Sequence, residues 1–84
     1  MKYIIYDDNL KSFNIFPEYL NHSDMFDKSK KLLSAGRCKF ISKNNDVIIS
    51  AISESVSLGC DYNVEQSKFD SEYLTRIIRV FNNI

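Results

Sequence analysis

The single histidine is the first residue with a capacity for chemistry, because the run Asn21-His22-Ser23-Asp24 places a hydroxyl and a carboxylate directly beside it. A hydrolytic triad needs these three kinds of group to converge on one substrate atom. Three adjacent residues on one helical turn cannot all point at one atom. The run is more typical of a helix start, with Asn21 as the cap and Asp24 at the positive end of the helix dipole.

Paired carboxylates and phosphate loops are the next two possibilities. Asp7 and Asp8 are adjacent, so their side chains diverge on a strand or turn, and such a pair is typical of turn chemistry. Gly36 and Gly59 are the only glycines, which excludes a glycine-rich phosphate-binding loop. A hydrolase or transferase is therefore hard to build from these residues.

The two cysteines, Cys38 and Cys60, form no Cys-x-x-Cys pair and have only one histidine to accompany them. This composition makes a zinc site improbable. We predict that both cysteines are small buried hydrophobic residues, with a disulfide or a reactive thiol as the alternatives. We expect no catalytic residues, no metal and no cofactor.

Glu54 lies in the alternating run Ser53-Glu54-Ser55-Val56-Ser57-Leu58, which predicts a strand with the three serines on one face and Glu54 on the other. Glu54 would then be in phase with Ile52, where an unpaired carboxylate is costly to bury. Two readings stay open. Glu54 has a purely structural place, either in an ion pair or in a solvent-facing position past the end of the core, or it lines a binding surface together with the serine hydroxyls. The cations that could pair with Glu54 are Arg37, Lys39, Arg76 and Arg79.

The longest irregular segment runs from Gly59 to Gln66, and irregular loops of this kind often carry function. We combine it with the alternating run and with the cations of the last helix to define a candidate binding surface. Its residues are Glu54, Ser53, Ser55, Ser57, Asp61, Tyr62, Asn63, Arg76 and Arg79.

Two hairpins must position these residues. Between about Arg37 and Leu58, two β-rich runs flank the turn Lys43-Asn44-Asn45-Asp46, whose Asn residues tolerate positive φ. An earlier hairpin joins Lys2 to Tyr6, with apolar side chains on both faces, to Leu10 to Phe16. Pro17 closes that second strand, because proline cannot donate to a β ladder.

Two helices complete the order. The first is predicted from about His22 to Leu33. The second runs from about Lys68 or Asp70 to Asn82, and its core residues should be Phe69, Tyr73, Ile77 and Phe81, which recur every fourth position. The resulting order ββαββα predicts an α+β fold with two layers: a mostly antiparallel four-stranded sheet with both helices packed on one face.

Composition limits the classes of function. A chain of 84 residues predicts one small domain over 1–84, with a thin core that favours a homodimer or a higher homo-oligomer. The balance of 11 basic and 11 acidic residues disfavours nucleic-acid binding, because no net field attracts phosphates. No apolar run predicts a membrane span, and Asp7 follows the first apolar run too soon for a signal peptide. We expect the cytoplasm of a bacterial host.

Four stretches resemble small phage and prophage accessory proteins: residues 1–8, Ile15-Phe16-Pro17-Glu18 with the Asn21-His22-Ser23-Asp24 step, Ser34-Ala35-Gly36, and residues 54–59. Cys60-Asp61-Tyr62-Asn63 stands where those proteins have a basic, proline-containing loop. The resemblance implies an inhibitor of host defence. Such proteins include anti-CRISPR proteins and proteins that sequester nucleotide signals.

We therefore expect a non-catalytic phage-type protein that binds and inhibits a host defence protein. One alternative is an oligomeric small-ligand binder that sequesters a nucleotide-type signal near Glu54 and the segment from Gly59 to Gln66. A small enzyme is the other alternative.

Overall fold

The computed structural model describes residues 1–54, 58 and 62–82, and it confirms the α+β class and the order ββαββα. The sheet has four strands in the order β2-β1-β3-β4, and each neighbouring pair is antiparallel. The elements are β1 (Lys2–Tyr6), β2 (Phe13–Phe16), α1 (His22–Met25), β3 (Leu32–Lys43), β4 (Asp46–Ser53) and α2 (Val64–Asn82). Neither helix in the described ranges is long and apolar enough to cross a membrane.

The hairpin of β3 and β4 turns where it was predicted. Lys43 pairs with Asp46, and the two residues between them, Asn44 and Asn45, have φ of 53° and 64°. Two successive positive φ values characterise the tight turns whose twist matches that of the flanking strands, and asparagine adopts them readily. β4 ends at Ser53. The strand was predicted to continue to about Leu58, but neither Glu54 nor Leu58 belongs to it, and residues 55–57 lie outside the described residues.

The first hairpin is also present, but β2 begins later than Leu10. The Asp8 carboxylate accepts hydrogen bonds from the Ser12 backbone N–H (2.9 Å) and the Ser12 hydroxyl, and Lys11 has a φ of 46°. These contacts keep residues 8–12 in a turn. β2 then ends at Phe16, immediately before Pro17 as predicted.

β1 separates two apolar clusters. Tyr3 and Ile5 face the cluster that includes Leu74 of α2, whereas Ile4 and Tyr6 face the cluster that Met25 of α1 packs against. The two helices therefore lie on opposite faces of the sheet, and the prediction that both pack on one face was wrong. The reason is that β1 is apolar on both faces and needs cover on each.

The predicted helix from His22 to Leu33 was also wrong, since α1 has only 4 residues. Asp27 Oδ1 accepts hydrogen bonds from Ser29 N–H (3.0 Å) and Ser29 Oγ (2.6 Å), which stabilises a turn in place of a further helical turn. Leu32 then pairs with Tyr6 in the ladder of β1 and β3. Strand pairing thus overrides the local helical pattern.

α2 was predicted correctly as a helix, but its buried face was not. Phe69 is 39% exposed and Phe81 is 65% exposed, while Asp70 and Leu74 are fully buried. The helix also begins earlier than predicted, at Val64, because Asn63 Oδ1 accepts a hydrogen bond from Gln66 N–H (3.1 Å) and caps the helix.

Candidate functional site

A row of hydroxyl groups on α2 covers the outer edge of β4. Four helical residues rise about 6 Å, and two strand residues span about 6.6–6.8 Å, so hydroxyls at every fourth helical position meet alternate residues of the strand. The pairs are Ser67 Oγ with Ser53 N–H (2.9 Å), Ser71 Oγ with Ala51 N–H (2.8 Å) and Thr75 Oγ1 with Ile49 N–H (2.9 Å). We call this row the hydroxyl ladder. It satisfies backbone donors that an uncovered edge strand would expose.

Ser53 and Asn63, both candidate binding residues, belong to this structural arrangement. Ser53 is buried, and its hydroxyl accepts a hydrogen bond from Asn63 N–H (2.9 Å) and lies 3.1 Å from Ser67 Oγ. Ser53 therefore anchors the start of α2 and does not line an exposed polar face. The other predicted residues of that face, Ser55 and Ser57, lie outside the described residues, as does Asp61.

Glu54 pairs with one of the cations that the sequence offered. Arg37 Nε lies 3.6 Å from Glu54 Oε2, and both side chains are partly exposed. Its surroundings differ from the prediction, since Ile52 beside it is exposed and Ser53 is buried. The geometry favours the structural ion pair, and because both groups reach solvent the pair stabilises the fold only modestly.

The structure separates the two candidate cations of α2, Arg76 and Arg79, from Glu54. Arg79 forms a two-point ion pair with Asp46 at the hairpin turn, with Nη2 2.7 Å from Oδ2 and Nε 3.3 Å from Oδ1. Arg79 therefore lies at the opposite end of β4 from Glu54. Arg76 is exposed on α2 and Tyr62 is exposed before it. The six candidates that lie within the described residues do not form one site.

Sequence reasoning missed a buried carboxylate, Asp70. It accepts hydrogen bonds from Tyr3 Oη (2.5 Å), Ser34 Oγ (2.9 Å) and Gln66 Nε2 (2.8 Å). The only sequence signal for this network was Gln66, which stands four residues before Asp70, because side chains at that spacing on a helix are neighbours. Because Asp70 is fully enclosed, this network positions α2 over the sheet and offers no access to a substrate.

His22 and Cys38 are also engaged in the interior. His22 Nε2–H donates to the Gly36 carbonyl (2.9 Å), and burial lowers the pKa of this imidazole. Asn21 precedes α1, but its side chain makes no capping hydrogen bond. Cys38 is a buried free cysteine, as predicted, and burial raises the pKa of its thiol, which disfavours the reactive thiolate. Cys60 lies outside the described residues.

The surface best suited to binding lies on the hairpin. β3 pairs with β1 only as far as Arg37, which lies opposite Lys2, but β3 itself continues to Lys43. The hairpin of β3 and β4 therefore projects beyond β1. On the side away from α2 it presents alternating residues that we call the open hairpin face: Arg37, Lys39, Ile41, Ser50 and Ile52. Together with Glu18 and Glu54, this face lines a depression of about 420 Å³.

Comparisons with protein-family models, curated proteins and solved structures found no match to this chain. Within residues 1–54, 58 and 62–82, no group of three or more His, Cys, Asp or Glu side chains is arranged to hold a metal ion. On the open hairpin face Lys39 and Ser50 pair in the central row, with Ile41 on one side of that row and Ile52 on the other. Apolar and charged side chains are thus interspersed, an arrangement suited to contact with another molecule.

Proposed function

We propose that this chain is a non-catalytic binding protein of the bacterial cytoplasm that inhibits a host protein by contact through the open hairpin face. The observation that carries the proposal is the exposure of Ile41 and Ile52, at 44% and 48%, on two paired strands. Ile41 and Ile52 flank the pair of Lys39 and Ser50, and exposed apolar side chains interspersed with polar ones are found in protein contact surfaces.

The hairpin supports this function because it is rigid beneath the exposed face. Ile49 and Ala51 alternate with the exposed residues and are buried against α2, and the hydroxyl ladder holds their backbone N–H groups. A surface that is ordered before binding loses less conformational entropy when it binds.

The charges of the face indicate the chemistry of the partner. Lys39 forms no ion pair with any residue that the structure describes, and Arg37 pairs with Glu54 over 3.6 Å in a partly exposed position. A partner surface that combines apolar side chains with carboxylates would complement this face. The resemblance to phage accessory proteins makes a host defence protein the expected partner, in the manner of an anti-CRISPR protein.

The interior groups support a function without catalysis. The His22 imidazole bonds to a backbone carbonyl, the Cys38 thiol is buried, and the Asp70 carboxylate is enclosed by three donors. His22 and Asp70 are thus held in structural hydrogen bonds, and burial keeps the Cys38 thiol away from solvent.

One observation favours a second candidate, a binder that sequesters a nucleotide-type signal. The depression of about 420 Å³ is within the size range of small-ligand sites, and Arg37 and Lys39 on its wall could hold phosphates. A nucleotide panel tests this candidate, because a ligand that binds only the folded state raises the melting temperature by several degrees. Lys39→Glu should remove that rise.

A capture experiment tests the main proposal. Immobilised wild type, Ile41→Glu and Val64→Glu are incubated with bacterial lysate, and the retained proteins are quantified by mass spectrometry. Val64 is a matched control, since it is an exposed β-branched residue away from the open hairpin face. We expect one target that wild type and Val64→Glu retain and Ile41→Glu loses.

Titration with the purified target then gives the stoichiometry and the affinity. We expect a saturable contact weakened at least about tenfold by Ile41→Glu, which corresponds to about 1.4 kcal/mol. Equal binding by wild type and Ile41→Glu, with both proteins folded, would show that the open hairpin face is not the contact surface.

A further inference from the structure

The flank of α2 that points away from β4 carries an apolar stripe. Phe69, Tyr73, Ile77 and Phe81 follow one another at every fourth position, and the rings of Phe69 and Tyr73 stack with centroids 6.0 Å apart. The core does not bury this stripe, because α2 turns Asp70 and Leu74 inward. A partly exposed aromatic stripe along a 19-residue helix is a surface that can pack against another helix.

The geometry of the sheet leaves room beside the stripe. Strands lie about 4.8 Å apart and a helix is about 10 Å wide, so one helix covers about two of the four strands. The hydroxyl ladder holds α2 along β4, at one edge, and Phe13 and Ile15 of β2 at the other edge are only partly buried. A groove of about 500 Å³ lies between α2 and the β1–β2 turn. Its apolar lining is Leu10, Phe13, Tyr73, Ile77, Val80 and Phe81.

The charges beside the stripe indicate what covers it. Glu72 and Arg76 are exposed on the same side of the stripe, and neither forms an ion pair with any residue in the described ranges. When two identical helices pack antiparallel, each side of one helix meets the same side of the other. If the helices cross near Leu74, Glu72 of each copy lies opposite Arg76 of the other, so the surface is complementary to itself.

We propose that a second copy of this chain packs against the stripe, with the two α2 helices antiparallel, and forms a two-fold symmetric dimer. Glu72 and Arg76 pair twice across the axis, and the aromatic residues of each stripe pack against the other stripe and its groove. Such an interface is isologous, which is the commonest form of protein dimer.

This dimer uses the sheet face that carries α2. The open hairpin face lies on the opposite side of the sheet and stays accessible in both copies. The dimer would therefore present two target-binding surfaces, and the failure of either proposal leaves the other standing.

The first test is the mass in solution. Light scattering after size exclusion should give a dimer for wild type at tens of micromolar. Val80, which is 59% exposed and lines the groove, is changed to Glu to disrupt the interface, and Val64→Glu on the same helix is the control, since Val64 is 53% exposed but lies off the stripe. We expect Val80→Glu to be a folded monomer and Val64→Glu to remain dimeric. A monomeric wild type, or a dimeric Val80→Glu, would overturn the proposal.

The second test identifies the charge pair. Glu72→Arg and Arg76→Glu should each weaken the dimer at least about tenfold, because each places like charges opposite one another twice. An equimolar mixture of the two variants should dimerise again, since a copy with two cations at these positions then faces a copy with two carboxylates. Pairing within one helix cannot produce this recovery, so a mixture that stays monomeric would contradict the antiparallel arrangement.

Discussion

Thr75 Oγ1 bonds to both backbone groups of Ile49: it accepts a hydrogen bond from the N–H (2.9 Å) and donates one to the carbonyl oxygen (3.2 Å). Ser71 Oγ likewise accepts a hydrogen bond from Ala51 N–H (2.8 Å), and its hydroxyl proton is shared between the carbonyl oxygens of Ser67 (2.8 Å) and Ala51 (3.2 Å). A side chain on α2 thus takes the place of a fifth strand at the edge of β4. This contact determines how α2 is rotated about its axis.

Replacing Thr75 with Val tests the hydroxyl ladder, because valine keeps the shape and removes the hydroxyl. The buried Ile49 N–H then has no partner, and we expect the free energy of unfolding to fall by about 1–3 kcal/mol. Thr75→Ser, which keeps the hydroxyl, is the control and should lose less. Urea denaturation of the three proteins measures the difference, and equal losses in both variants would show that the hydrogen bond contributes little.

Tyr3 and Asp70 should be strongly coupled, because the Tyr3 hydroxyl donates to the buried carboxylate over 2.5 Å. Tyr3→Phe, Asp70→Ala and the double variant form a double-mutant cycle. We expect each single change to destabilise the fold and the double change to cost less than their sum, with a coupling of about 0.5–3 kcal/mol. Additive losses would mean that the two groups act independently.

Leu74 and Phe81 distinguish the observed face of α2 from the face that periodicity predicted. Leu74→Ala removes a buried side chain and should cost about 2–5 kcal/mol, whereas Phe81→Ser changes an exposed residue and should cost well under that. Both are made in the Val80→Glu background, so that loss of the proposed dimer does not add to the cost. A larger loss for Phe81→Ser would show that the helical face is assigned wrongly.

His22 should make stability depend on pH. Burial lowers its pKa from the ordinary 6.5, so the unfolded chain takes up a proton at a higher pH than the folded protein does. The neutral, buried imidazole of His22 therefore contributes to the free energy of unfolding. This contribution is complete at pH values above the pKa that His22 has in the unfolded chain, and it is lost as the pH falls below that pKa. We expect the free energy of unfolding to decrease from pH 7.5 to pH 5.5, as measured by denaturation at each pH. His22→Gln, which keeps a donor for the Gly36 carbonyl, should flatten this dependence, and an unchanged slope would exclude His22 as its cause.

Local signals determined the elements whose stabilising contacts are close in the chain. Asn44 and Asn45 accept the positive φ that a tight hairpin turn requires, and Pro17 ends β2 wherever the strand lies in the sheet. The period of the apolar residues in 69–81 predicts a helix, because no other regular structure repeats every three to four residues. These features could be predicted without knowledge of the fold.

Residues 22–33 show where local signals were insufficient. Leu32 and Leu33 fit a helical stripe, yet they belong to β3, whose Leu32 pairs with Tyr6. The free energy that favours the strand comes from β-ladder pairing with residues that are distant in the sequence. The face that α1 covers was decided in the same way, by the need of Ile4 and Tyr6 for apolar neighbours.

The orientation of α2, and with it the candidate surfaces, was decided only by the tertiary structure. Ser67, Ser71 and Thr75 have the polarity of a solvated face, but the edge of β4 presents backbone N–H groups that need acceptors. The hydroxyls therefore turn inward, and the aromatic stripe of Phe69 and Phe81 turns toward the surface. Hydrophobic periodicity indicates which side chains of a helix avoid water. It contains no information about the backbone groups of another element with which the polar side chains of that helix form hydrogen bonds.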